Sequence, residues 1–277
     1  NCTYVQSCKE EHSFPHLIIQ YPKDAYICAR DICLNTRRSN RIIYHHDLDN
    51  IVMEINEELS SHCQDAKVFL ISGLNAMQDE ALLLDRLEIL ERIVSSLQEG
   101  AIVYYEDGGF YDNRLKLVLN KAFGHAIDIY GMNEDEMMEY LGREVDLLNA
   151  KEVARGLAEV SLVIPARTML VHTRHWVLAF GQNATKLGPS IEQGIQLATT
   201  RFRWGDGFTL EEYKKTASLP RQLEGERMAG ELSSLLGSKV CCIAAYDVSE
   251  KGATTVGLGD AFVGGFLSKL SESDIVY

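Results

Sequence analysis

Short apolar runs alternate along this chain with longer amphipathic stretches, and that alternation restricts the fold more than any other feature. The strand-like runs cover residues 17–19, 41–44, 68–71, 102–105, 126–130, 169–172, 176–180 and 240–244. Between them Leu82, Leu83, Leu87, Leu90, Ile93 and Val94 recur at helical spacing amid charges, and residues 191–202 and 219–236 have the same pattern. Short strands separated by helical patterns of roughly ten or more residues predict an α/β fold, a mainly parallel sheet covered by helices on both faces. In such sheets ligands gather at the carboxyl ends of the strands. Residues 200–220, with Trp204-Gly205-Asp206-Gly207, read as a break between helices and not as a domain boundary. At 277 residues the chain has room for one large domain or two small ones.

The run with the most chemical content is Thr255-Val256-Gly257-Leu258-Gly259-Asp260-Ala261-Phe262. Two glycines flank one residue, an aspartate follows, and an apolar stretch then opens, which predicts a tight turn emptying into a helix. The first amides of a helix lack internal partners and carry partial positive charge, so they suit an anion. A carboxylate at that point can take a proton from a hydroxyl while the amides hold the phosphoryl group it attacks. Taken alone, such a turn is also what an ordinary capping aspartate requires.

Several polar residues follow predicted strands and therefore belong on one rim. Glu106 follows residues 102–105; Asn133 and Glu136 follow 126–130 and share a helix face; Ser72 and Gly73 follow 68–71. Carboxylates beside an amide-rich turn fit a magnesium–phosphate site, because magnesium prefers oxygen ligands, keeps water and bridges to phosphate. Each residue singly also fits a solvated acidic cap. His45-His46 does not suggest a metal site, since neighbours on a strand point to opposite faces.

The formal net charge of −13 argues against a nucleic-acid backbone as partner but not against a nucleotide, which local amides and metals can hold. The seven cysteines form no CxxC pair, which excludes a zinc ribbon or thioredoxin-type motif and suits a reducing, cytoplasmic compartment. No apolar run is long enough to span a membrane. The sequence starts at Asn1, so a targeting signal stays open.

Four further stretches join the terminal turn in a resemblance. They are Pro15 to Pro22; Arg38-Ser39-Asn40-Arg41-Ile42-Ile43 with His46-Asp47; Ile71-Ser72-Gly73-Leu74; and Gly131-Met132-Asn133-Glu134-Asp135-Glu136. From about His16 onward the chain resembles the ADP-dependent sugar kinases, the glucokinase and phosphofructokinase group of the ribokinase-like superfamily. The resemblance implies a three-layer α/β/α domain in which residues 1–277 are the large catalytic part, with the family's N-terminal strands and lid largely absent. It implies Mg²⁺-dependent phosphoryl transfer from ADP to a hexose or hexose phosphate, glucose or fructose 6-phosphate, with release of AMP.

Residue by residue, the resemblance makes Asp260 the base that takes the sugar proton and a neighbour of the metal, and Gly257 and Gly259 the anion-hole turn, Gly259 also beside the nucleotide phosphate. Asn133 and Glu136 match the NxxE motif, whose glutamate helps hold magnesium through water, and Glu106 matches the glutamate of an HxE motif. Arg41 matches an arginine on the migrating phosphoryl group, His172 and Thr173 a nucleotide-contacting pair, and His16 a sugar-binding histidine. The HxE position here reads Tyr104-Tyr105-Glu106, a tyrosine in place of the histidine. Two other readings stand beside this one: an ATP-dependent ribokinase-like sugar kinase, to which the GxGD turn applies equally, and a non-catalytic relative that binds nucleotide or a protein.

Overall fold

The computed structural model describes residues 5–7, 16–37, 40–44, 48–248 and 256–277. Strands β1 (Leu17–Tyr21), β2 (Tyr26–Ala29), β3 (Ile32–Asn35) and β4 (Asn40–Tyr44) form two small antiparallel sheets, β1 with β4 and β2 with β3. Two short helices, α1 (Leu48–Val52) and α2 (Leu59–Cys63), lead into the main body. There β5 (Val68–Ile71), α3 (Glu80–Ser95), β6 (Ile102–Glu106), α4 (Asn113–Phe123), β7 (Ile129–Asn133), α5 (Glu134–Leu141), α6 (Ala150–Val160) and β8 (Thr168–His172) alternate. They are followed by β9 (Trp176–Gly181), α7 (Gly188–Trp204), α8 (Leu210–Thr216), α9 (Leu223–Leu236), β10 (Val240–Ala244) and α10 (Leu258–Leu270).

The central sheet has six strands in the order β10-β9-β8-β7-β6-β5. β5 to β8 are mutually parallel, as the alternation predicts; β9 runs antiparallel to β8, and β10 to β9. The reversal at β9 has a local cause. Only residues 173–175 separate it from β8, enough for a tight turn but far too few for a parallel crossover.

Alternate side chains divide into two cores. Val103, Tyr105, Tyr130, Met169, Val171 and Leu178 pack beneath α3, α4, α5, α6 and α9. Their strand neighbours Ile102, Tyr104, Ile129, Leu170, Val177 and Ala179 pack against α7 and α10. The period of two along each strand thus gives three layers. The predicted stripe on α3 behaves as expected: Leu83, Leu87, Leu90 and Ile93 are buried, and the Asp79 side chain caps the helix by accepting from Leu82 N at 2.8 Å.

Three details depart from the sequence reading. The runs at 17–19 and 41–44 are strands, but they pair with each other and stay outside the main sheet. Alternation identifies a strand without saying which sheet receives it, and the β2–β3 hairpin between them returns the chain for antiparallel pairing. The run at 126–130 shifts: β7 starts at Ile129 and ends at Asn133. Asp128, just before it, instead accepts from Val103 N at 2.8 Å. Finally, Cys28 and Cys33 face each other in the β2–β3 register and form a disulfide, although the cysteine pattern suits a reducing compartment. Among the described residues, no helix is long and apolar enough to cross a membrane.

Candidate active site

Parallel strands end on one side of a sheet, and three of the anticipated residues are final strand residues: Glu106 on β6, Asn133 on β7 and His172 on β8. Asn133 and His172 are register partners, and Glu106 is opposite Gly131. The rim is therefore real, and its residues are bonded to one another. Glu106 Oε1 lies 2.9 Å from His172 Nε2, and Glu106 Oε2 accepts from the Tyr104 hydroxyl at 2.7 Å. Tyr104, the residue at the position where the resemblance implies a histidine, thus donates to the carboxylate. Burial pulls the His172 imidazolium down, but Glu106, with Glu136 and Glu134 behind it, outweighs burial and raises its pKa.

Asn133 and Glu136 close a capping box at the start of α5. Asn133 Oδ1 accepts from Glu136 N at 2.9 Å, while Glu136 accepts from Asn133 N at 2.7 Å and from Asn133 Nδ2 at 2.8 Å. Burial nevertheless pushes Glu136 up to about 8, against those bonds, with Asp107 adding to the shift. A raised acid favours folding while protonated. Its contribution is complete below the ordinary glutamate pKa and is lost as pH rises through about 8. The metal-free protein should therefore lose melting temperature between about pH 4.5 and 8, and Glu136→Gln should flatten that fall; parallel melting curves for the two proteins would show the shift misassigned.

A second layer lies behind the rim. Asp107, next to Glu106, takes the Tyr130 hydroxyl at 3.2 Å and faces Lys116 Nζ at 3.3 Å, and Lys116 reaches on to Glu139 at 2.9 Å. Asp107 and Lys116 are both buried; burial raises the carboxyl and Lys116 opposes it. This network joins α4, the β6–α4 loop and α5, so the elements carrying Glu106 and Glu136 are braced together.

The glycine turn also forms. Gly257 is the left-handed N-cap of α10, with φ of 66°, and Asp260 is exposed in the first helical turn. Gly259 is set against the rim: a β-carbon there would sit 4.0 Å from His172 Cε1. The His172 ring packs on Phe262 with centroids 5.1 Å apart. The first turn of α10 and the Glu106–His172 pair thus border one place. Thr173 is next to it, but its hydroxyl is engaged in the β8–β9 turn, donating to Trp176 O at 2.8 Å.

The remaining expected residues lie elsewhere in the fold. Arg41 is exposed on β4, opposite Gln20, in the β1–β4 sheet and not the six-stranded one, and His16 is exposed just before β1. Thr255, Arg38, Ser39, Pro15, His45, His46 and Asp47 fall outside the described residues.

A profile of the ADP-specific phosphofructokinase/glucokinase conserved region matches residues 3–268. The chain belongs to that family. A search of curated proteins returned no match. Among solved structures, a hypothetical ADP-dependent phosphofructokinase from Pyrococcus horikoshii OT3 is 19% identical with a TM-score of 0.69, covering 94% of this chain and 64% of that one. A phosphofructokinase from Pyrococcus horikoshii OT3 with AMP is 18% identical with a TM-score of 0.65, covering 93% and 63%. An ADP-dependent kinase in complex with fructose-6-phosphate and ADPβS is 14% identical with a TM-score of 0.70, covering 95% and 66%. The chain therefore spans about two thirds of the length of these family structures.

Tyr104 and Arg201 were absent from the residues picked out as functional. Tyr104 was visible only as a departure from HxE. Arg201 Nη1 donates to Gly257 O at 2.6 Å, a contact no local pattern announces.

Proposed function

We propose that this chain carries the phosphoryl-transfer site of a magnesium-dependent sugar kinase, moving a phosphoryl group from ADP to a hexose or hexose phosphate and releasing AMP. Family membership supports the donor and the acceptor class. The observation that carries the reading is the placement of the α10 first turn against the Glu106–His172 pair. In this reading Asp260 takes the proton of the attacking hydroxyl, whose oxygen bonds to the β-phosphorus as the bond to AMP breaks. The amides around Gly257 and Gly259 receive the charge on the transferring group. Asn133, His172 and Thr173 border the nucleotide; Arg41 and His16, which lie outside the six-stranded sheet, are assigned to the migrating phosphoryl group and the sugar by the family resemblance alone.

Among the described residues, no three His, Cys, Asp or Glu side chains gather as a ready ligand set. Both oxygens of Glu106 and of Glu136 already accept a hydrogen bond. That donor set fits a magnesium ion held through its water shell, since each carboxylate oxygen keeps a second lone pair for a metal-bound water. Glu106 and Glu136 would hold such an ion, with Asp260 nearby, and bound magnesium would neutralise phosphate charge.

The donor is tested by melting curves at equal, high concentrations of ADP and ATP, each with Mg²⁺. ADP should give the larger shift, because a ligand that binds the native state adds RT ln(1 + [L]/Kd). A larger shift with ATP would favour an ATP-dependent kinase, and no shift with either would favour a non-catalytic relative. Product detection with glucose and with fructose 6-phosphate then assigns the acceptor.

A further inference from the structure

α7 and α10 are held in register by glycine. A β-carbon on Gly265 would sit 2.9 Å from Gln193 O and 3.0 Å from Gly194 Cα, and one on Gly194 would sit 2.6 Å from the Phe262 ring. Two helices in backbone contact have almost no freedom to slide. They run antiparallel, so about two turns beyond Gly194 the chain reaches Arg201, while about two turns before Gly265 it reaches Gly257. There the guanidinium occupies the space a Gly257 side chain would need; a β-carbon would lie 2.7 Å from Arg201 Cζ. Nη1 donates to Gly257 O at 2.6 Å, and Nη2 pairs with Asp206 at 2.7 Å.

The placement is informative because it is electrostatically awkward. A helix N-terminus carries partial positive charge, so a cation there works against the dipole. Asp206, its ion-pair partner, has a side chain 82% exposed, so solvent screens its side of the pair and it offsets little. The arginine is better explained by what its fork does geometrically. One arm fixes the carbonyl of a residue in the left-handed region and the other is tied to the segment after α7, so the turn cannot rotate about Gly257.

We propose that Arg201 is a positioning residue of the phosphoryl site, holding the Gly257–Gly259 amides and the Asp260 carboxylate in the orientation that transfer requires. The proposal rests on the reading of that turn as the phosphoryl site. Misplacement of reacting groups by about 1 Å costs on the order of 100-fold in rate. Arg201→Met in the whole gene product should therefore lower kcat roughly 10–100-fold, raise KM for ADP less, and keep the melting temperature within a few degrees. Arg201→Lys should recover part of kcat, because an ammonium can meet Gly257 O but not Asp206 at the same time. Added guanidinium ion at non-denaturing concentration should raise the turnover of Arg201→Ala, which a purely structural role does not predict.

Asp260→Asn is the control that separates the two readings. If Asp260→Asn abolishes turnover while Arg201→Met keeps kcat within about twofold, the positioning role is wrong and the phosphoryl site stands. If Asp260→Asn is also without effect, the phosphoryl-site reading fails and takes the proposal with it. Should Arg201→Met not fold, Arg201→Lys decides. An undiminished kcat, or a loss matched by a loss of melting temperature with no guanidinium rescue of Arg201→Ala, overturns the proposal.

Discussion

Asp260→Asn should lower turnover on the order of 10²–10⁴-fold, the usual contribution of a positioned general base, with nucleotide affinity little changed. The two side chains have nearly the same shape, so the turn should survive; Gly257 supplies its left-handed conformation and Gly259 its close approach to His172. What disappears is the ability to accept a proton from the sugar hydroxyl. Asp260 is exposed in the first turn of α10, so neither burial nor packing should be disturbed. The measurement is single-turnover product formation beside a melting curve. A variant with full rate would remove Asp260 from the mechanism, and one that loses rate and melting temperature together would reduce it to a first-turn charge favouring the helix dipole.

The sequence conveyed the rim better than it conveyed the connections across it. Glu106 and Asn133 were placed by one inference, that residues ending parallel strands share a side, and His172 by the family resemblance; each is a final strand residue. That inference needs only local apolar runs and sheet geometry. By contrast, the Tyr104–Glu106–His172 chain joins residues 66 positions apart, and the Arg201–Gly257 contact spans 56. Periodicity within an element cannot show such pairs. The β1–β4 sheet was missed for a related reason: residues 17–19 and 41–44 have the same apolar character as central strands, and pairing partners are a property of topology. Cys28 and Cys33 face each other only because a hairpin forms between them. Their sequence separation of five lies outside the CxxC spacing that marks a metal or redox pair.

Function draws on both kinds of information. Family membership places the chain with the ADP-specific phosphofructokinase/glucokinase conserved region, and the structure adds that Glu106 accepts from a tyrosine hydroxyl where the resemblance implies a histidine. The replacement is chemically sensible. A buried phenol remains a donor at any pH the fold experiences, because burial and Glu106 both raise its pKa well above the ordinary value. A histidine in that place would change charge near neutrality.

Gly131→Ala should be the most damaging single-methyl change at the rim. Gly131 is opposite Glu106 in the β6–β7 register, and its α-carbon faces the Tyr104–Glu106 hydrogen bond. An added β-carbon would fall on Glu106 Oε2 and the Tyr104 hydroxyl and would sit 2.8 Å from Tyr104 Cζ. Tyr104 has no room to withdraw, so the Glu106 carboxylate has to give way. Tyr104 is fully buried and its ring packs on Phe266 with centroids 5.7 Å apart, while Glu106 is held on its other oxygen by His172. Overpacking of this kind costs about 1–3 kcal/mol, and the severed hydrogen bond to a charged group adds about 1.5–3 kcal/mol. The carboxylate must turn away from the site, so turnover should fall on the order of 100-fold, with a raised magnesium requirement. Adding Tyr104→Phe to Gly131→Ala removes one of the colliding atoms, so the double variant should be more stable than the sum of the two single losses. Chemical denaturation of all four proteins reads that coupling directly. Strict additivity, or a Gly131→Ala protein with parental turnover, would show that the Tyr104–Glu106 contact is not what this glycine protects.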